Sequence, residues 1–164
     1  MTGKPGVGKT TLLLKVVHEL IKKGVSVSGF YCPEVREGGK RVGFKIKSID
    51  GEIEDWLATI HGSSTVKVGK YNVTVKEETV RKLENNIISA KVIAIDEIGP
   101  MELSISSLRN LISKVIQGDY NIIAVVHRKV PIKEGKIYTV TYDNRDNLWK
   151  DIIDYVSNFL FSSK

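Results

Sequence analysis

The stretch Gly3-Lys4-Pro5-Gly6-Val7-Gly8-Lys9-Thr10 constrains this chain more than any other. It fits the pattern glycine, four residues, glycine, lysine, then serine or threonine, the spacing of a loop that wraps a polyphosphate. Such a loop must turn tightly and aim backbone N–H groups inward, and Gly3, Gly6 and Gly8 can take the angles this requires. Lys9 supplies a point charge toward the β- and γ-phosphates, and the Thr10 hydroxyl is placed to ligate Mg²⁺. Leu13, Val16, Val17, Leu20 and Ile21 follow at helical spacing, with Gly24 as the stop. The loop thus feeds a helix N-terminus, where free N–H groups and the dipole favour an anion.

A loop of this kind normally follows a buried strand. Only Met1 and Thr2 precede Gly3. The first strand of the sheet is therefore expected to be missing, through a clipped or misassigned start, and stability is expected to be reduced by the backbone left unpaired.

The other bounds are broad. The 164 residues suffice for one domain with a real core. No apolar run approaches the roughly 20 residues of a membrane span. There is no secretory pattern, and one cysteine, Cys32, excludes an internal disulfide and a cysteine-built zinc site. A cytoplasmic monomer is expected. The net charge of +6 is spread along the chain without a basic block, so nucleic acid is not the expected partner.

Along the chain, 25–31 and 42–46 read as strands around a long hairpin loop marked by Gly38-Gly39. A third short strand falls near 48–50 or 53–57. Residues 66–75 alternate strongly, with Gly69 as a break or bulge, and 77–88 read as a helix through Val80, Leu83 and Ile87. Val92-Ile93-Ala94-Ile95 is a strand buried on both faces, as in a parallel sheet. Residues 103–117 form an amphipathic helix stopped by Gly118, 121–126 and 136–141 are further strands, and 146–161 a closing helix with Leu148, Ile152, Tyr155, Val156 and Phe159 on one face. Strands alternating with helices predict a three-layer α/β domain with a mainly parallel central sheet and an antiparallel hairpin insertion.

The buried strand ends in Asp96-Glu97. A carboxylate at such a tip can hold Mg²⁺ beside Thr10, and a carboxylate one residue later can orient and deprotonate a water for attack on the γ-phosphate. Asp96 and Thr10 are the candidate metal ligands. Glu97 and Lys9 are the candidate catalytic groups.

Two strings carry a resemblance: Gly3-Lys4-Pro5-Gly6-Val7-Gly8-Lys9-Thr10-Thr11, and Ile95-Asp96-Glu97-Ile98-Gly99-Pro100-Met101-Glu102-Leu103. With residues 29–44, 68–71 and 144–146, they resemble the nucleoside-triphosphatase family first described in thermophilic prokaryotes, which has a human cancer-related relative. The resemblance implies a RecA-like P-loop fold. It also implies slow Mg²⁺-dependent hydrolysis of ATP, GTP, CTP and UTP to the diphosphate and phosphate with little base selectivity, the two strings forming the nucleotide site. The chain departs from the family at its first strand, which bears on nucleotide affinity, and at 128–135, which are shorter than the family's helical stretch.

Further candidates are His127, which ends a strand and could sense the γ-phosphate, and Arg36, Arg41, Arg128 and Arg145, any of which could neutralise charge there. Each is individually explained as a satisfied strand end or a surface charge. Cys32 reads as a half-buried thiol, Glu102 as a carboxylate favouring a helix N-terminus, and Trp56 and Trp149 as packing residues. Two rival functions are a nucleotide or small-molecule kinase, with the hairpin around Arg36–Arg41 as its lid, and a nucleotide-switched RNA- or protein-binding module.

Overall fold

The apolar run at 92–95 forms the middle of a sheet, as its sequence predicts. In the computed structural model, which describes residues 1–132 and 134–161, strand β8 covers Val92–Ile98 and residues 92–95 are essentially without solvent exposure. Two parallel neighbours flank it, β2 (Val27–Tyr31) and β9 (Ile122–Val126). Beyond β2 the sheet turns antiparallel through β4 (Lys40–Ser48), β5 (Glu54–Thr59), β7 (Tyr71–Val73) and β6 (Lys67–Val68), and β3 (Glu34–Glu37) pairs with β4. The expectation of a mainly parallel sheet is corrected: the sheet is mixed, and its antiparallel lobe is as large as its parallel half.

Helices cover both faces. Helix α1 (Lys9–Lys22) buries Leu12, Leu13, Val16, Val17 and Leu20, and packs beside α5 (Leu148–Phe161). On the other face α2 (Glu77–Ile87) inserts Val80, Leu83 and Ile87, and α4 (Ser106–Gln117) inserts Leu108, Leu111, Ile112 and Val115, against Phe30, Ile46, Ile93 and Ile95. Burying each such side chain contributes about 1.5–3 kcal/mol. Gly24 closes α1 at φ +83, the left-handed conformation glycine takes without steric cost.

The missing first strand is also corrected. Thr2–Gly3 form β1, parallel to β10 (Thr139–Val140), and Thr2 N–H donates to the Tyr138 carbonyl at 2.9 Å. On the opposite edge, Met1 bonds β9: its amino group donates to the Ala124 carbonyl at 2.7 Å, and Val126 N–H donates to the Met1 carbonyl at 2.8 Å. The first three residues thus bridge β9 and β10.

Other boundaries differ locally. Residues 66–75 form the two strands of a hairpin, β6 and β7, because Gly69 takes φ +59 and reverses the chain. The helix expected over 103–117 is two, α3 (Pro100–Ser104) and α4, because Ile105 is extended and buried between them. Residues 136–141 contribute only the two residues of β10. On α5, Ile153 and Leu160 are buried, whereas Tyr155 and Phe159 line a cavity beside β9. Residues 128–132 form a turn without a helix; Lys133, also within the stretch read as shortened, lies outside the described residues.

Candidate active site

The loop between β1 and α1 is held at both ends. Gly3 lies so close to β10 that an added Cβ would stand 2.6 Å from the Val140 carbonyl oxygen. Val7 is buried in the core shared by α1 and α5. Lys4, Pro5 and Gly6 are exposed. Gly6 takes φ +74, and Gly8 takes φ +104 as the residue that opens α1. No side chain caps that end, and no acidic residue occupies its first turn. The amides opening α1 are therefore available to an anion. Thr11, on the first turn, is exposed.

Three charged side chains gather there. Lys9 Nζ donates to the Gly3 carbonyl at 2.8 Å and stands 3.6 Å from Glu97 Oε2. Asp96, only 6% exposed, lies beside the Thr10 side chain. Burial pushes the Asp96 carboxyl above its ordinary value and Glu97 adds to this, while Thr10 and Lys9 oppose it. The structure thus brings together the two candidate metal ligands, Thr10 and Asp96, and the two candidate catalytic groups, Lys9 and Glu97. Adjacent hydroxyl and carboxylate oxygens suit Mg²⁺, which keeps waters and takes phosphate oxygens as its remaining ligands.

The segment after Glu97 supports the site from behind. Ile95 and Ile98 are fully buried, and Met101 packs against the same core, so their side chains hold the strand tip in place. Pro100 starts α3 and is exposed. Glu102 is 6% exposed, and its Oε1 accepts the Gly99 N–H at 3.1 Å. Burial raises its carboxyl to about 7, with Glu97 and Asp96 adding to the effect and the backbone bonds opposing it. Sequence reasoning placed Glu102 at a helix start but missed its burial. Its contact with Cys32 was also missed; burial raises that thiol, and Glu102 adds to the rise.

The secondary candidates divide. An added Cβ on Gly8 would meet Arg145 Cδ at 3.5 Å, so Arg145 packs on the loop. Its guanidinium lies 5.3 Å from the Tyr142 ring. The turn carrying both is tied by Thr141 N–H to Asn144 Oδ1 (2.8 Å) and by Asn144 Nδ2 to the Thr139 carbonyl (3.0 Å). Tyr142 was overlooked in the sequence, where only its neighbour Arg145 stood out. Arg128 shares a surface pocket with Gly3, Lys4 and Tyr142. His127 is anchored at the strand tip by its N–H to the Ile98 carbonyl (2.9 Å), and its Nδ1 accepts the Lys129 N–H at 3.1 Å. Arg36 and Arg41 are partnered within the antiparallel lobe, Arg36 with Glu34 and the Gly39 carbonyl, Arg41 with Tyr71 and Glu34.

Among the described residues no helix is long and apolar enough to cross a membrane. The sequence profile described as NTPase matches residues 1–153. The nucleoside-triphosphatase THEP1 of Sulfurisphaera tokodaii is 52% identical over 156 residues, 95% of this chain and 92% of that protein. That of Sulfolobus acidocaldarius is 49% identical over 96% of this chain and 92% of its own length. The crystal structure of THEP1 from Aquifex aeolicus superimposes with a TM-score of 0.68 at 30% identity, covering 94% of this chain and 95% of the other. The solution structure of a human cancer-related nucleoside triphosphatase gives 0.70 at 29% identity, covering 99% and 96%. With a Gly-rich loop at a helix N-terminus, a carboxylate pair facing it and relatives matched nearly end to end, this chain belongs to the nucleoside-triphosphatase (NTPase) family.

Proposed function

We propose that the chain hydrolyses nucleoside triphosphates to the diphosphate and phosphate in a Mg²⁺-dependent reaction with little base selectivity, on a RecA-like P-loop fold. The observation that carries this is the meeting of Lys9, Thr10, Asp96 and Glu97 at the open start of α1. Strand β9, standing between Met1–Gly3 and β8, supports the RecA-like assignment.

The loop amides and Lys9 bind the β- and γ-phosphates. Lys9 now contacts Glu97, so an arriving γ-phosphate competes for its ammonium and releases the carboxylate. Glu97 then orients a water and takes its proton as the water oxygen bonds to the γ-phosphorus. The bond from phosphorus to the β–γ bridging oxygen breaks, and the electron pair leaves with the diphosphate. Thr10 and Asp96 would hold Mg²⁺, which supplies charge neutralisation at the phosphate oxygens. Arg145 and Tyr142 offer the nucleoside a flat cationic and aromatic surface. Stacking of this kind tolerates every base, because every base has a π-face.

The test is phosphate release from ATP, GTP, CTP and UTP, with and without Mg²⁺ and with no second substrate. Release from all four only with Mg²⁺ is expected. Release that needs an added acceptor would identify a kinase, and a strong preference for one base would overturn the stacking account.

A further inference from the structure

The strand tip that carries Glu97 is walled in two residues further on. Gly99 is buried there. A Cβ added to it would stand 3.0 Å from Glu102 Oε1, 3.5 Å from His127 Cβ and 3.7 Å from Glu97 Oε1. Two carboxylates thus approach one point, and glycine leaves them room. The backbone at this point is tied from three directions. Gly99 N–H donates to Glu102 Oε1 at 3.1 Å. The Gly99 carbonyl accepts the Leu103 N–H at 3.0 Å, and the Ile98 carbonyl accepts the His127 N–H at 2.9 Å. The last two bonds join main chain to main chain and ask nothing of the side chains. The first depends on what stands at position 102. Glu102 is itself only 6% exposed and lies beside the Cys32 thiol, just past the end of β2. Cys32 N–H in turn donates to the Asp96 carbonyl at 2.9 Å. The Glu102 carboxylate is therefore wedged between the ends of the two strands that frame the site.

The Glu97 carboxylate spans this wall and the loop. Its Oε2 faces Lys9 at 3.6 Å, and its Oε1 lies toward Gly99. We propose that Glu102 is a positioning residue for hydrolysis: by holding the Gly99 amide it fixes the backbone from Glu97 to Gly99, and with it the direction in which Glu97 meets the attacking water. This rests on the reading of Glu97 as the base. Glu102 acts through Glu97 and does not itself touch the reacting atoms. The sensitivity comes from proton transfer, which needs the base within about 2.6–3.2 Å of the water oxygen. A misplacement of about 1 Å costs on the order of 10²-fold in rate. Lys9 and Thr10 are carried by α1 and not by this tip, so triphosphate binding does not share the dependence.

The test uses the full chain. Glu102→Met keeps the side chain's length and removes the strong acceptor, whereas Glu102→Gln keeps an acceptor oxygen. Single-turnover phosphate release from ATP with Mg²⁺ is measured beside fluorescent-nucleotide affinity. Amide exchange at Gly99 is followed without nucleotide. In Glu102→Met, release is expected to slow about 10–100-fold at unchanged affinity, with faster exchange at Gly99. Glu102→Gln is expected to rescue both. Gly99→Ala, at a φ of −133 that alanine adopts freely, is expected to slow release in the same way by pressing on Glu102; it serves as the test should Glu102→Met fail to fold. In a Glu97→Gln background Glu102→Met is expected to add little, because the residue it acts through is gone. Release by Glu102→Met at the parent rate, failure of Glu102→Gln to rescue, or an undiminished effect in the Glu97→Gln background would overturn the inference while leaving hydrolysis intact. A parent chain that releases no phosphate with Mg²⁺ would overturn the hydrolytic reading and this inference with it.

Discussion

Glu102→Gln is expected to stabilise this protein at pH 8 and to leave it nearly unchanged at pH 4. Glu102 is buried at the start of α3, where its Oε1 accepts the Gly99 N–H. Desolvation, reinforced by Glu97 and Asp96, raises its carboxyl from 4.5 to about 7. The folded state therefore resists ionisation that the unfolded chain accepts. Below about pH 4.5 both states are protonated and the group costs nothing. As pH rises from there to 7, the unfolded state loses its proton first, and stability falls. Above pH 7 both are ionised and the full cost remains, about 3 kcal/mol at 1.36 kcal/mol per pH unit. A glutamine keeps the acceptor oxygen and never ionises. In thermal melts at pH 8 the variant should therefore gain up to about 3 kcal/mol, roughly 6–12 °C for a chain of this size. At pH 4 the two melts should agree within about 1 kcal/mol. Asp96 is shifted in the same direction, but it is present in both proteins and cancels from the difference. A pH-independent difference, or a variant less stable at pH 8 than the parent, would refute the reasoning.

Three further outcomes are expected. Gly3→Ala should lose triphosphate affinity, measured by fluorescent-nucleotide titration, and should melt earlier, because its Cβ would press on the Val140 carbonyl 2.6 Å away. Leu83→Ala, a fully buried α2 position, should cost about 2–5 kcal/mol in urea unfolding with little change in nucleotide affinity. Arg145→Ala, at the side chain that packs on Gly8 beside the Tyr142 ring, should raise KM for all four triphosphates by similar factors and change kcat less; a selective effect on one base would contradict the stacking role.

Residues whose local pattern already carried the physics were legible in the sequence. The Gly3–Thr10 spacing led to a loop at the start of α1, and the apolar run ending in Asp96 led to a central strand with a carboxylate at its tip. Helices α2 and α4 followed from their 3.6-residue periodicity. What stayed hidden depends on partners distant in sequence. β3 is Glu-Val-Arg-Glu, a charged stretch with no strand signature of its own, made a strand by pairing with β4. Ile105 interrupts a helical pattern because the core between α3 and α4 takes its side chain. Met1–Gly3 are too short to read as a strand, yet both neighbours bond them. Within the site, the placement of Arg145 on Gly8 depends on the turn at Thr141–Asn144, and the burial of Glu102 on the strand tip above it. Neither has a spacing rule.

The central claim is that Glu97 activates the attacking water while Lys9 and the loop bind the phosphates. Single-turnover phosphate release by Glu97→Gln, beside nucleotide binding by the same variant, tests it directly. The account predicts unchanged or tighter triphosphate binding and release slowed about 10²–10⁴-fold, the usual worth of a positioned general base. Release at the parent rate would contradict it, and would move the proton acceptor elsewhere in the site.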